Sequence, residues 1–155
     1  MTAADKILFK NNLKQFCQHT IEQRIAAAKE IIQNVQEAAN NEEKSSAGDK
    51  YETGRAMGHL QKDMHSRQLN EYLKELADLH SVNAGIIYQK AKPGAFIETS
   101  AALFFIAAGL GKQATAGKTI LFLSPHAPLA LVLQNKEQGE SFVFNRNTVV
   151  ITDIF

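Results

Sequence analysis

The chain has 155 residues, 45% of them apolar, and a formal net charge of +1. That length and composition allow one ordinary domain or two small ones with a real core. The near-neutral balance argues against a generally basic nucleic-acid binder and against an acidic tail. The single cysteine, Cys17, cannot form an internal disulfide, which fits a reducing cytosol.

The N-terminal stretch "MTAADKILFKNNLKQF" has no signal-peptide pattern, because lysine and asparagine interrupt its apolar residues early. Leu13 and Cys17 begin an apolar stripe with Phe16 beside it. The stripe continues through Ile21, Ile25, Ala28, Ile32, Val35 and Ala39. These steps alternate four and three, the seam of a coiled coil. Cys17 reads as a small apolar residue on this face; no basic or histidine-rich setting marks it as a reactive thiol. No proline occurs before Pro93. The stretch "EEKSSAGDKYETGRA", Glu42 to Ala56, then breaks the pattern with acids, small residues and a glycine. Beyond it Met57, Leu60 and Met64 start a second stripe. After a phase slip near Arg67, Leu69, Leu73, Leu76 and His80 continue it. Two such stripes joined by a short polar segment predict an antiparallel helical hairpin over residues 1–81. At about 1.5 Å per residue each arm is on the order of 45–55 Å long.

From residue 82 the periodicity changes. "AGIIYQKA" and "GAFIET" read as short strands, "AALFFIAAG" as a buried strand, and "TILFLS" as another, with turn glycines at Gly111 and Gly117. "PHAPLALVLQNK" reads as one short helix. Ser124 offers a cap, Pro125 and Pro128 suit its start, and Leu129, Val132 and Leu133 form an apolar face. "SFVFN" and "TVVITDIF" close as a hairpin turning at Asn145, Arg146 and Asn147. Residues 82–155 are thus expected to form a small, mostly antiparallel sheet packed by one helix, making the fold class α+β. The longest apolar run, Ala101 to Leu110, is far short of the roughly 20 residues that span a bilayer, so a cytoplasmic protein is expected.

Length, order and two motifs resemble the Gre-type transcript cleavage factors of bacterial RNA polymerase. The tip sequence "GDKYE", Gly48 to Glu52, is similar to the family's Gly-Asp-x-x-Glu. "LSPHAPLALVLQNKEQGESFVF" is similar to its Ser-Pro-x-x-Pro-Leu helix and the segment that follows. Asn135 stands where the family has glycine before a lysine, Glu140 where it has aspartate, and "TGRA" follows Glu52. The resemblance implies an FKBP-like second domain and a factor that enters the polymerase's secondary channel tip first. It implies RNA polymerase as partner, indirect contact with nascent RNA, and a monomer. Such a factor is not an enzyme by itself: it stimulates the polymerase's own cleavage of backtracked RNA. Asp49 and Glu52 are the implied catalytic acids, helping to hold a Mg²⁺ shared with the polymerase. Two carboxylates suit that ion, which prefers hard oxygen ligands and keeps most of its waters. Ser124, Pro125, Pro128 and Leu129 are implied in docking.

Each motif also has a plainer explanation. Asp-x-x-Glu is a capping box, with Asp49 as N-cap and Glu52 reaching back, worth roughly 1 kcal/mol. Glu42 and Glu43 at the end of the first helix oppose its dipole; a solvated charge cluster accounts for them. Arg55, His59 and Lys62 make a narrow basic stripe that suits RNA or channel contact, or simply a solvent face. Turn-to-helix rigidity explains the prolines without docking. "GLGK" lacks the spacing of a phosphate loop, and the five histidines make no metal-ligand pair on one helix turn. The absence of tryptophan argues against prolyl isomerase activity. Two alternatives stay beside the leading reading. One is a channel-binding regulator without cleavage activity. The other is an oligomerisation or adaptor module in which Ile25, Ile32 and Val35 pack against a second chain.

Overall fold

The computed structural model describes residues 1–43 and 48–155, with side chains described for 1–41 and 54–155. Two long helices, α1 (Ala3–Glu43) and α2 (Gly48–His80), come first. They are followed by β1 (Phe96–Thr99), β2 (Leu103–Ile106), β3 (Gly111–Thr115), β4 (Lys118–Leu123), α3 (Pro128–Leu133), β5 (Ser141–Phe144) and β6 (Asn147–Ile154). The class is α+β. The chain divides into two compact units, residues 1–18 with 78–155, and residues 19–77.

In the first unit the sheet runs β3-β4-β2-β1-β6-β5. Only β2 and β4 pair in parallel; the other neighbours are antiparallel. The phenylalanine-rich strands are covered on both faces, which explains why their sequence shows no polar alternation. Ile97 and Phe104 point to one side, into a cluster with Ala130 and Leu133 of α3 and with Phe142, Val149 and Ile151. Phe96, Phe105 and Phe122 point to the other, where the first turns of α1 lie. Phe9 meets Phe96 edge-on at 5.0 Å, and Phe16 meets Phe122 at 5.5 Å. Leu13 and Cys17 are fully buried on the same helix face. Each buried phenylalanine contributes about 2–3 kcal/mol by area alone, so these turns of α1 belong energetically to the sheet.

Helix α1 opens with a reciprocal cap. The Asp5 carboxylate accepts from the Thr2 amide at 3.0 Å, and Thr2 Oγ1 accepts from the Asp5 amide at 3.1 Å. The amide of Thr2 holds the Asp5 carboxyl below its usual value. The hairpins β3–β4 and β5–β6 each turn in two residues, Ala116-Gly117 and Asn145-Arg146. All four residues have positive φ, the type I′ geometry whose twist suits a tight hairpin.

Three local expectations are corrected. Residues 84–91 form no strand; a single bridge, Lys90 to Glu137, is their share of pairing. Their carbonyls and side chains serve other partners: the Ile86 carbonyl accepts from Lys10, Tyr88 Oη donates to the Asn83 carbonyl, and Asn83 Oδ1 accepts from the Gly85 amide. Ser124 does not cap α3, whose N-cap is Ala127, with Pro128 in the first turn. Instead Ser124 Oγ accepts from the His126 amide in the turn before it. Finally, Val132 is exposed, and α3 buries Ala130 and Leu133.

Candidate functional site

In the unit of residues 19–77, α1 and α2 run antiparallel. Lys62 Nζ donates to Gln36 Oε1 at 2.8 Å. A Cβ on Gly58 would lie 3.5 Å from the Ala39 Cβ. Higher numbers on α1 therefore face lower numbers on α2. The inward stripe of α1 is the one its spacing predicts. Ile21, Ile25 and Ala28 are buried, and Ile32, Val35 and Ala39 are half-buried. Ile25, Ile32 and Val35 are thus turned toward α2.

The stripe expected on α2 is corrected. Met57, Leu60 and Met64 are 58%, 70% and 59% exposed, and Leu73 and His80 also face out. Among the half-buried positions are Gly58, Lys62, His65, Leu69, Tyr72 and Leu76. They step by four and three without interruption, so there is no phase slip near Arg67.

This register places the sequence candidates. Asp49 and Glu52 fall in the first two turns of α2, which begins at Gly48; their side chains lie outside the described residues. The expected basic stripe is divided. Arg55 and His59 are exposed, whereas Lys62 is half-buried and bonded to Gln36. Among the described residues, no cluster of His, Cys, Asp or Glu could hold a metal ion. No helix, among the described residues, is long and apolar enough to cross a membrane.

The candidates in the sheet unit gather around α3. Pro125 and His126 line a cleft of about 500 Å³ with Lys92, Pro93, Ile106 and Leu131. Leu129 of α3 packs against the core, Pro128 is exposed, and Ser124 orders the turn. The two departures from the resembled pattern that fall in this unit, Asn135 and Glu140, have local explanations. Asn135 adopts φ +64 just past α3, the left-handed position where asparagine is the common substitute for glycine. Its amide donates to the Ala91 carbonyl at 2.9 Å. Glu140 folds back to accept from the Glu137 amide at 3.1 Å, closing the turn around Gly139, which has φ +90.

Sequence reasoning missed Lys10. Its side chain is fully buried. Nζ donates to the carbonyls of Ile86 and Gly94 and stands 4.8 Å from the centre of the Tyr88 ring. Lys6 and Lys14, one turn away on either side, reach Asp153 and the Val82 carbonyl. The i, i+4, i+8 spacing of these lysines was the available signal, and on a helix such a row usually marks a solvent face. Burial lowers the Lys10 ammonium to about 8. Burial also pushes the Cys17 thiol up to about 12, which leaves it protonated and inert at neutral pH. Comparison with protein families, with curated proteins and with solved structures finds no match for this chain.

Proposed function

We propose that this chain is a secondary-channel factor of RNA polymerase, of the Gre type, that stimulates cleavage of backtracked RNA. One observation carries the reading: an antiparallel helical pair in which the returning helix starts at Gly48, one residue before the Gly-Asp-x-x-Glu acids. A narrow probe with carboxylates where the chain returns is what delivery of charge into a confined channel requires. The donor set fits a divalent cation, since Asp49 and Glu52 offer hard carboxylate oxygens three residues apart on one helix. That cation would neutralise developing charge and acidify an attacking water when bound. Asp49 and Glu52 would hold and orient it, and the polymerase would supply its remaining ligands. The Ser124–Leu129 turn and α3 are the surface by which the sheet unit would dock.

The test is stimulated cleavage in a stalled, backtracked complex with purified bacterial polymerase and Mg²⁺. Asp49→Asn and Glu52→Gln are expected to reduce the stimulated rate at least tenfold while leaving polymerase binding intact. Equal stimulation by wild type and both variants would remove the catalytic role. Binding without stimulation by the wild type would make the chain a non-cleaving channel regulator.

A further inference from the structure

We propose that one side of the helical unit is a self-association surface, and that a second copy of this chain covers it. The inference stands apart from the polymerase reading, and its test contains no polymerase.

Besides the inward seam, each helix of this unit carries a second stripe one step further round. On α1 it is Ala27, Ile31, Asn34 and Ala38; on α2 it is Met57, Gln61, Met64 and Gln68. The two stripes border two grooves. One, of about 400 Å³, lies among Ala27, Ile31, Met64 and Gln68. The other, of about 370 Å³, lies among Asn34, Ala38, Met57 and Gln61. Seven residues separate corresponding positions on both helices, from Ile31 to Ala38 and from Met57 to Met64. Ile31, Met57 and Met64 are all exposed.

Four properties of this face name its occupant. The grooves repeat at the heptad interval, which only another helix matches along its length. The stripes carry no charge, so the face does not repel its own copy. Arg24 and His65 border one groove only. Glutamine alternates with methionine on α2, and α1 adds Asn34; each amide both donates and accepts, so like can pair with like. The face also presents methionine knobs beside hollows left by Ala27, Ala38 and Gly58. A surface with knobs and hollows at one interval is complementary to itself, as a two-fold interface demands.

Its size sets the strength. From Gly54 to Gln68 the face is about 21 Å long, and two adjacent helices are about 20 Å wide. The area is then roughly 400 Å² per copy, half that of a standard interface. Association through so small a face is weak and concentration-dependent.

Sedimentation equilibrium from about 5 to 500 µM tests this. The wild-type mass is expected to climb toward twice the monomer. Met57→Glu with Met64→Glu is expected to weaken association at least tenfold, as is Met57→Gln with Met64→Gln. Far-UV circular dichroism should stay unchanged, because these side chains are exposed. Val143→Glu supplies the control: Val143 is 65% exposed but lies on β5 in the sheet unit and lines neither groove, and its variant should dimerise like the wild type. A monomeric mass at every concentration overturns the proposal. So does undiminished association in the double variants, or an equal loss in Val143→Glu.

Discussion

The buried ammonium of Lys10 donates to the carbonyl of Gly94 at 3.1 Å, joining the start of α1 to the residues before β1. No carboxylate accepts from it. Its partners are two carbonyls and the face of Tyr88, itself a weak acid whose pKa burial pushes up, so that it stays neutral more readily. The other charged groups close by on the same elements are Lys6, Lys14 and Lys92, all cations. The charge is therefore held by dipoles and a ring quadrupole alone. The folded state favours the neutral amine more than the unfolded chain does. Below pH 8 the ammonium weighs against folding. As pH rises from about 8 to 10.5, the unfolded chain binds the proton more tightly and this group's contribution to stability grows. The full gap corresponds to about 3 kcal/mol. Urea unfolding at pH 7.0 and 9.5 is expected to show wild type gaining stability relative to Lys10→Met. Parallel pH profiles for the two proteins would show that the ammonium carries no such penalty.

The glycines divide sharply in what they tolerate. A Cβ on Gly94 would lie 2.2 Å from the Asn83 carbonyl oxygen, at φ +96. Both the clash and the backbone forbid a side chain, and moving Asn83 disturbs the Tyr88 contact and the loop that Lys10 holds. Gly94→Ala should cost about 3 kcal/mol or more, on the scale of overpacking plus backbone strain. Gly58 is the opposite case. A Cβ there meets the Ala39 Cβ at 3.5 Å, ordinary contact, in the middle of a helix where glycine loses about 1 kcal/mol to alanine. Gly58→Ala should therefore raise stability by about 0.5–1 kcal/mol. Thermal unfolding of the two single variants checks both signs.

The difference between α1 and α2 explains how far the sequence was legible. The inward seam of α1 is built of Ile, Ala and Val, so hydrophobic spacing reveals it. The inward seam of α2 is built from Gly58, Lys62 and His65 before it reaches Leu69 and Leu76. Periodicity follows apolar residues and so settled on Met57, Leu60 and Met64, which face out. The apparent slip near Arg67 is the join between two different faces. The basic stripe failed for the same reason, since Lys62 occupies a seam position and bonds Gln36. In the sheet unit the strands rich in phenylalanine and isoleucine were readable. Residues 84–91 were not, because what holds them is a lysine 76 residues earlier, a separation no local pattern reports. Of the two hairpin turns, that of β5–β6 was legible at Asn145 and Arg146, whereas β3 (Gly111–Thr115) passed unread as a strand, because this edge strand is polar and mostly exposed and shows no apolar alternation.

One of those turns has room for improvement. Asn145 and Arg146 have φ +50 and +66, with Phe144 paired to Asn147. Asparagine visits this region readily, but arginine has a Cβ and no local hydrogen bond to compensate for it. The type I′ turn favours Asn-Gly. Arg146 is exposed, so its side chain has no core packing to lose. Arg146→Gly relieves the left-handed strain while widening the unfolded ensemble, two effects of opposite sign. The strain is about 1–2 kcal/mol and the added entropy of glycine is about 0.5–1 kcal/mol. The net expectation is a gain of roughly 0.5–1 kcal/mol, visible as a higher urea midpoint with unchanged slope. Arg146→Val, a β-branched residue at the same φ, should lower the midpoint. If the glycine and valine variants unfold at the same urea concentration, the turn backbone is not what limits stability there.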